Sequence, residues 1–140
     1  MKRILVAIDG SDASMRAGRM AAEVALRFGA RLTLAYAVPR LLLPPDVYGL
    51  TVAEVEREQR AYAENVVHEA LLKLGEAGVD VETVVLNGPP AEAVAEAAAA
   101  PDVDLVVVGS RGNGAVKRML LGSVSDRLVH ICPKPILVVH

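Results

Sequence analysis

Aromatic side chains make up only 3% of this 140-residue chain: there is no tryptophan, a single phenylalanine and three tyrosines. A flavin site usually stacks its ring on aromatics, and Phe28, Tyr36, Tyr48 and Tyr62 offer little for that purpose. Hydrophobic residues nevertheless reach 53%, so the core must be aliphatic, and one domain over residues 1–140 is enough to bury it. Cysteine occurs once, at Cys132, which excludes an internal disulfide and fits a reducing cytosol. It lies between an apolar helix end and a strand and reads as a small core residue. A net charge of -2 leaves no footprint for nucleic acid or an anionic membrane. The apolar run that opens the chain ends at Asp9, too short for a signal peptide, and no run approaches a membrane span. A soluble cytoplasmic protein is expected. His68, His130 and His140 have no metal-ligand spacing, so no metal site is predicted among them.

What is present alternates between two periodicities. Arg3 to Ile8 is a near-continuous apolar run, as expected of a strand buried on both faces. It ends in Asp9-Gly10-Ser11-Asp12, where Ser11 or Asp12 can cap a helix whose apolar positions are Met15, Ala17, Met20, Ala21, Val24, Ala25 and Phe28. Gly29 is a natural stop before a second strand, Arg31 to Val38. Pro39 to Leu50 lacks periodicity and reads as a loop long enough to act as a lid. Thr51-x-x-Glu54 opens a helix to about Gly75 by a capping box, with Val55, Tyr62, Val66, Ala70 and Leu74 as its inner stripe. Val79 to Leu86 is a third strand, at an edge. An alanine-rich helix follows and ends near Ala100. Strand-forming Leu105 to Val108, a helix over Val124 to Ile131 and a last strand, Ile136 to Val139, complete the chain. This βαβαβαβαβ order means a parallel five-stranded sheet with helices on both faces, an α/β three-layer sandwich.

The chemistry concentrates between Asp104 and Asp126. The strand there breaks at Gly109 into a loop with Gly112, Gly114 and Gly122, the cations Arg111, Lys117 and Arg118, and the hydroxyls Ser110, Ser123 and Ser125. Ser123 with Asp126 three residues on reads as an N-cap and capping box. Strand, glycine loop and helix N-terminus is the order of parts that binds phosphate, because exposed N–H groups and the helix dipole both favour an anion. The alternative is a βα turn whose glycines only supply unusual backbone angles. Lys117 and Arg118 read as a mobile, solvated face. Several phosphate binders are excluded. There is no GxxxxGK[ST], the first βα turn is not GxGxxG, and Leu86-Asn87-Gly88 stands where a receiver domain would place its phosphorylatable Asp.

The spacing Gly109-x2-Gly112-x9-Gly122-Ser123 resembles the ATP-binding signature of the universal stress protein family. Ile4-Leu5-Val6-Ala7-Ile8-Asp9-Gly10-Ser11 is similar to that family's first strand and its acidic end, and Pro135 to Val139 to its closing strand. The resemblance covers nearly the whole chain. It implies the strand order 3-2-1-4-5, which brings the ends of strands one and four to one crevice. It also implies ATP as ligand, with Mg²⁺. Ala7 and Asp9 would contact the nucleoside, and Ala37 would line the adenine pocket. Val108 and Gly109 would sit under the ribose and α-phosphate. Gly112, Gly122, Ser123 and Val124 would hold the phosphates through N–H groups, with the Ser123 and Ser125 hydroxyls adding bonds. Asp9 alternatively serves only as a turn or capping residue, and Ser123 can combine capping with phosphate binding.

Hydrolysis needs a base or positioned water beside the γ-phosphate. Asp9 and Asp12 are the only carboxylates near the site on this reading, and no catalytic residue is assigned. A regulatory ATP binder with slow or no turnover is expected. A slow ATP hydrolase or nucleotidyl-transfer enzyme and a nucleotide-free interaction module are the alternatives. In the implied order the last strand lies at an edge, and Ile136-Leu137-Val138-Val139 lacks the charges that normally guard one. A homodimer through this strand is expected, as in the family it resembles.

Overall fold

The computed structural model describes residues 1–40, 51–112 and 121–140. Gly114, Lys117, Arg118 and most of the Pro39–Leu50 loop lie outside the described residues. Five strands form one parallel sheet in the order β3-β2-β1-β4-β5. They are β1 (Arg3–Ala7), β2 (Arg31–Val38), β3 (Val81–Asn87), β4 (Val103–Gly109) and β5 (Ile136–Val139). The helices between them are α1 (Asp12–Phe28), α2 (Val52–Gly75), α3 (Pro90–Ala98) and α4 (Ser123–Ile131). The sequence-based fold class and strand order are both observed.

Side-chain alternation along the strands splits the core into two layers. Ile4, Val6, Ile8, Leu32, Leu34 and Val107 pack with Ala17, Ala21 and Ala25 of α1 and Ala70 and Leu74 of α2. Leu5, Ala35, Val106 and Val108 pack on the other face with Ala91, Val94 and Ala98 of α3 and Leu128 of α4. The caps behave as their sequences require. Ser11 Oγ accepts the Ser14 N–H at 3.2 Å at the start of α1, and Gly29 closes that helix at φ 62°. The Thr51–Glu54 capping box opens α2, with Thr51 N–H donating to Glu54 Oε2 at 2.7 Å. These contacts hold the Glu54 carboxyl below the usual carboxylate range.

The helix faces differ from expectation in a consistent way. α2 buries Ala63, Val67, Ala70 and Leu74, while Tyr62 stands 58% exposed. In α1 the buried row is Ala13, Ala17, Ala21, Ala22 and Ala25, and Met20 and Phe28 face outward. α1 seats on small residues only, which lets its axis approach the sheet and α2, while α2 buries Val67 and Leu74 beside Ala63 and Ala70. A Cβ added at Gly18 of α1 would lie 2.8 Å from Leu74 Cδ1 of α2. Apolar periodicity gives the right turn of the helix but not which apolar residues, small or large, reach the sheet.

Leu128 is fully buried and is the anchor of the short helix α4 on its face of the sheet. Leu128→Ala should lower the unfolding free energy by about 2–5 kcal/mol, measured by urea denaturation with an unchanged m-value.

Candidate functional site

β1 and β4 are neighbours whose following helices lie on opposite faces of the sheet. Their carboxyl ends therefore diverge and leave a crevice, the usual ligand position in such sheets. A cleft of about 440 Å³ occupies it. Its walls include Ala7, Asp9, Ala37, Val108, Gly109, Gly112, Gly122, Ser123, Val124 and Ser125, so every site residue expected from sequence lies in one cavity. Ile8, Ser14, Ala35, Tyr36, Pro39, Pro90, Val94 and Arg111 complete the lining.

Asp9 is held in place by a tight turn. Its Oδ1 accepts the Ser11 N–H at 2.9 Å, and its own N–H donates to Ser14 Oγ at 3.3 Å. Ser14 Oγ in turn donates to the Ser11 carbonyl at 2.9 Å. The capping end of α1 and the acidic end of β1 are thus one hydrogen-bonded unit. Burial raises the Tyr36 phenol above its ordinary pKa, with Tyr62 and then Asp9 adding to the shift.

Gly109, Gly112 and Gly122 are explained by close approach rather than by unusual backbone angles. Gly109, Gly112 and Gly122 are absent from the positive-φ glycines. A Cβ at Gly109 would meet Ala13 C at 2.8 Å and Ser14 N at 3.0 Å, so β4 ends directly against the first turn of α1. A Cβ at Gly112 would sit 2.6 Å from Asp9 Oδ2, and one at Gly122 would lie 3.3 Å from Arg111 Cα. The reading of these positions as suppliers of unusual angles is therefore replaced.

Two hydrogen-bonding roles also change. Ser123 is the first residue of α4 and not its cap; Gly122 holds the N-cap position, with no side-chain cap bond. The Gly122 N–H donates to the Ser110 carbonyl at 2.6 Å, and the buried Ser125 Oγ–H is directed at Ser110 O at 2.9 Å and Gly122 O at 3.0 Å. Both donors are engaged within the chain, so they fasten the loop instead of offering bonds to an anion. The N–H groups at the start of α4 have no partner within their own helix, as at any helix N-terminus.

Sequence reasoning missed the residues that shape the cleft without carrying an obvious chemical motif. Ser14 signals only as a hydroxyl one turn past Ser11. Pro90 and Val94 arrive from α3, whose alanine-rich sequence gives no hint of a cavity wall.

The fold and cleft define a doubly wound α/β domain that holds its candidate site at the switch point and lacks the glycine motifs of dinucleotide or P-loop folds. The universal stress protein family model matches residues 1–140, and the chain belongs to that family. It is 40% identical over 140 residues to the Thermus aquaticus universal stress protein in the QAH/OAS sulfhydrylase 3′ region, covering 99% of this chain and 98% of that one. Universal stress protein UspA from Lactobacillus plantarum superposes with a TM-score of 0.87 at 25% identity, over 99% of this chain and 97% of that one. A universal stress protein solved in complex with cAMP superposes with a TM-score of 0.75 at 28% identity, over 99% and 96% of the two chains.

The two tight glycines should respond differently to alanine. The Gly109→Ala methyl meets main-chain atoms that cannot turn aside, and should cost about 1–3 kcal/mol of stability in thermal or urea unfolding. The Gly112→Ala methyl meets a carboxylate oxygen, so stability should change less while NMR shifts of Asp9 and Ser11 move. Equal destabilisation by both would contradict this packing.

Proposed function

We propose that this universal stress protein is an ATP-binding regulatory protein with slow or no hydrolysis. The observation that carries the reading is the convergence of the β4 loop, the start of α4 and Asp9 on one cleft. Its volume lies within the range of about 300–1,000 Å³ usual for small-molecule and cofactor sites. The similar protein solved with cAMP supports a nucleotide in this family's fold. On this reading Ala7, Ala37 and Val108 form an apolar seat for the base, and Asp9 accepts a hydrogen bond from the nucleoside. Gly109 lies under the ribose and α-phosphate. Gly112, Ser123 and Val124 offer N–H groups to the phosphates, and the Ser123 hydroxyl adds a donor. Gly122 and Ser125 keep the loop in shape through Ser110.

Slow turnover follows from the carboxylates. Among the described residues that line the cleft, Asp9 is the only acid, and its Oδ1 already accepts from Ser11. A base for activating water is hard to draw from it. No group of His, Cys, Asp or Glu able to hold a metal occurs among the described residues. Mg²⁺ would therefore enter on the phosphate oxygens. The lone Cys132 supports placement in the reducing cytoplasm. The described residues contain no helix long and apolar enough to cross a membrane.

Calorimetry with ATP, adenosine and cAMP tests the reading. ATP should bind more tightly than adenosine, and Asp9→Ala should weaken both by about 1–3 kcal/mol, the range for leaving polar groups unpaired. A loss confined to ATP would make Asp9 a metal ligand instead. Tighter binding of cAMP than of ATP would favour a cyclic monophosphate as the ligand. No binding of any of the three would favour a nucleotide-free interaction module.

We also propose a homodimer built on β5. The strand lies at the sheet edge, and Pro135 and Val139 carbonyls accept bonds from the β4 side, from Val106 N–H at 2.9 Å and Ser110 N–H at 2.8 Å. By the two-residue period, the main-chain groups of Ile136 and Val138 point outward along the open edge. A two-fold axis would pair them with a second copy. Val138→Pro removes one outward donor and spares the bonds to β4. Light scattering should then give one chain mass for the variant and two for the unmodified protein; one chain mass for both would refute the dimer.

A further inference from the structure

The ladder between β1 and β4 stops at Val6 and Val107. Beyond that point each strand keeps only its outer neighbour. Ala7 pairs with Ala35 of β2, and Val108 and Gly109 pair with Val138 and Val139 of β5. The crevice opens where the two inner edges part, and every main-chain donor on those edges then needs a new partner. Ile8 N–H still reaches the Ala35 carbonyl of β2 at 2.8 Å. The next donor, Asp9 N–H, turns by alternation to the side that β4 has left. Ser14 Oγ, from the first turn of α1, accepts it at 3.3 Å.

Ser14 therefore serves both strand ends at once. Its main-chain nitrogen packs against Gly109, 3.0 Å from where a Cβ there would stand, and the residue is buried in the wall of the cleft. Its hydroxyl proton is given to the Ser11 carbonyl at 2.9 Å, which leaves the oxygen as an acceptor for Asp9. The Asp9 carboxylate has a tie of its own, from Oδ1 to the Ser11 N–H at 2.9 Å. Main chain and side chain of Asp9 are thus fastened separately, and one orientation is selected from the rotamers that a free aspartate samples. A carboxylate set in place beforehand loses little freedom when a ligand arrives.

We infer that Ser14 is a positioning residue of the cleft: its hydroxyl takes the donor that β4 gives up, and so holds the Asp9 carboxylate in the orientation that meets the ligand. The inference rests on the reading of Asp9 as a nucleoside contact, and Ser14 acts through Asp9.

Ser14→Ala is a narrow probe. The Ser11 carbonyl still accepts the Met15 N–H at 3.1 Å, so the Asp9 N–H alone loses its partner. Two readouts on the full chain are compared. In the ligand-free protein, NMR Hα–Hβ couplings of Asp9 should report one rotamer, and in Ser14→Ala they should average. By calorimetry, adenosine should bind Ser14→Ala about tenfold more weakly than the unmodified protein. In an Asp9→Ala background the same substitution should change adenosine affinity by less than about twofold, because the group that Ser14 positions is gone. Should Ser14→Ala not fold, Ser14→Cys keeps nearly the same volume with a weak acceptor and makes the same comparison. The inference is overturned if Asp9 keeps a single rotamer in the variant, if adenosine affinity does not fall, or if the fall is as large without the Asp9 carboxylate. Failure of adenosine to bind the unmodified protein would count against the nucleotide reading, and the couplings would still decide whether Ser14 sets Asp9.

Discussion

The main chain of Ser110 ties the end of β4, on the wall of the cleft, to β5 and to the start of α4. Its N–H donates to the Val139 carbonyl of β5 at 2.8 Å, and its carbonyl accepts the Gly122 N–H at 2.6 Å and the Ser125 hydroxyl at 2.9 Å. Ser110 is only 3% exposed, so water does not compete for these bonds. The chain leaving β4 and the chain entering α4 are thereby clamped at a neck, and the loop above it begins and ends at fixed points. α4 must then start at Ser123, with its first N–H groups beside the end of β4. A polar neck of this kind cannot be swapped for apolar contact, because its partners are buried peptide groups that need hydrogen bonds wherever they lie.

Glycine is needed at this neck because the segments are closer than a Cβ allows. β4 ends against Ala13 and Ser14, Gly112 lies against Asp9, and Gly122 lies against Arg111. A phosphate-binding loop and a merely tight turn look alike in sequence, since both call for glycine. They differ in what the glycines face. Here a side chain at Gly109 would collide with main chain and one at Gly112 with the Asp9 carboxylate, and one at Gly122 would press on Arg111, so these glycines build the ends of the loop, and the start of α4 is what remains for an anion.

The strands were legible because burial on both faces leaves long aliphatic runs, as in Ile4 to Ile8 and Leu105 to Val108. The start of α2 was legible because the Thr51–Glu54 box is a local rule with a local partner. The start of α4 was misassigned by one residue for the opposite reason. Its neighbourhood is set by Ser110, distant in sequence, which takes the Gly122 N–H and the Ser125 hydroxyl and leaves Ser123 in the first turn. The α2 stripe holds at Ala70 and Leu74, with Val66 packed against the core, and fails at Tyr62, which stands 58% exposed while its neighbour Ala63 is buried. The candidate site could be traced through Asp9 and Gly109 because both end apolar runs. Its far wall, from Pro90 and Val94, required the tertiary packing of α3.

The cleft itself follows from small side chains placed at the carboxyl ends of the central strands. Their middles carry Ile4, Val6, Leu32, Leu34, Val106 and Val107, which are fully buried and fill both layers. Their carboxyl ends carry Ala7 in β1, Ala35 and Ala37 in β2, and Gly109 in β4. The strands keep their spacing where these side chains are small, so volume opens above them at the carboxyl end of the sheet, between the larger Ile8, Tyr36 and Val108. Alanine keeps that space apolar without filling it, and its side chain has no rotamer freedom to lose when a ligand enters. The large residues below make the platform rigid, because a close-packed core resists the collapse that would otherwise close such a gap. The core and the cavity are therefore one design: the packing that stabilises the middle of the sheet is also what keeps its end open.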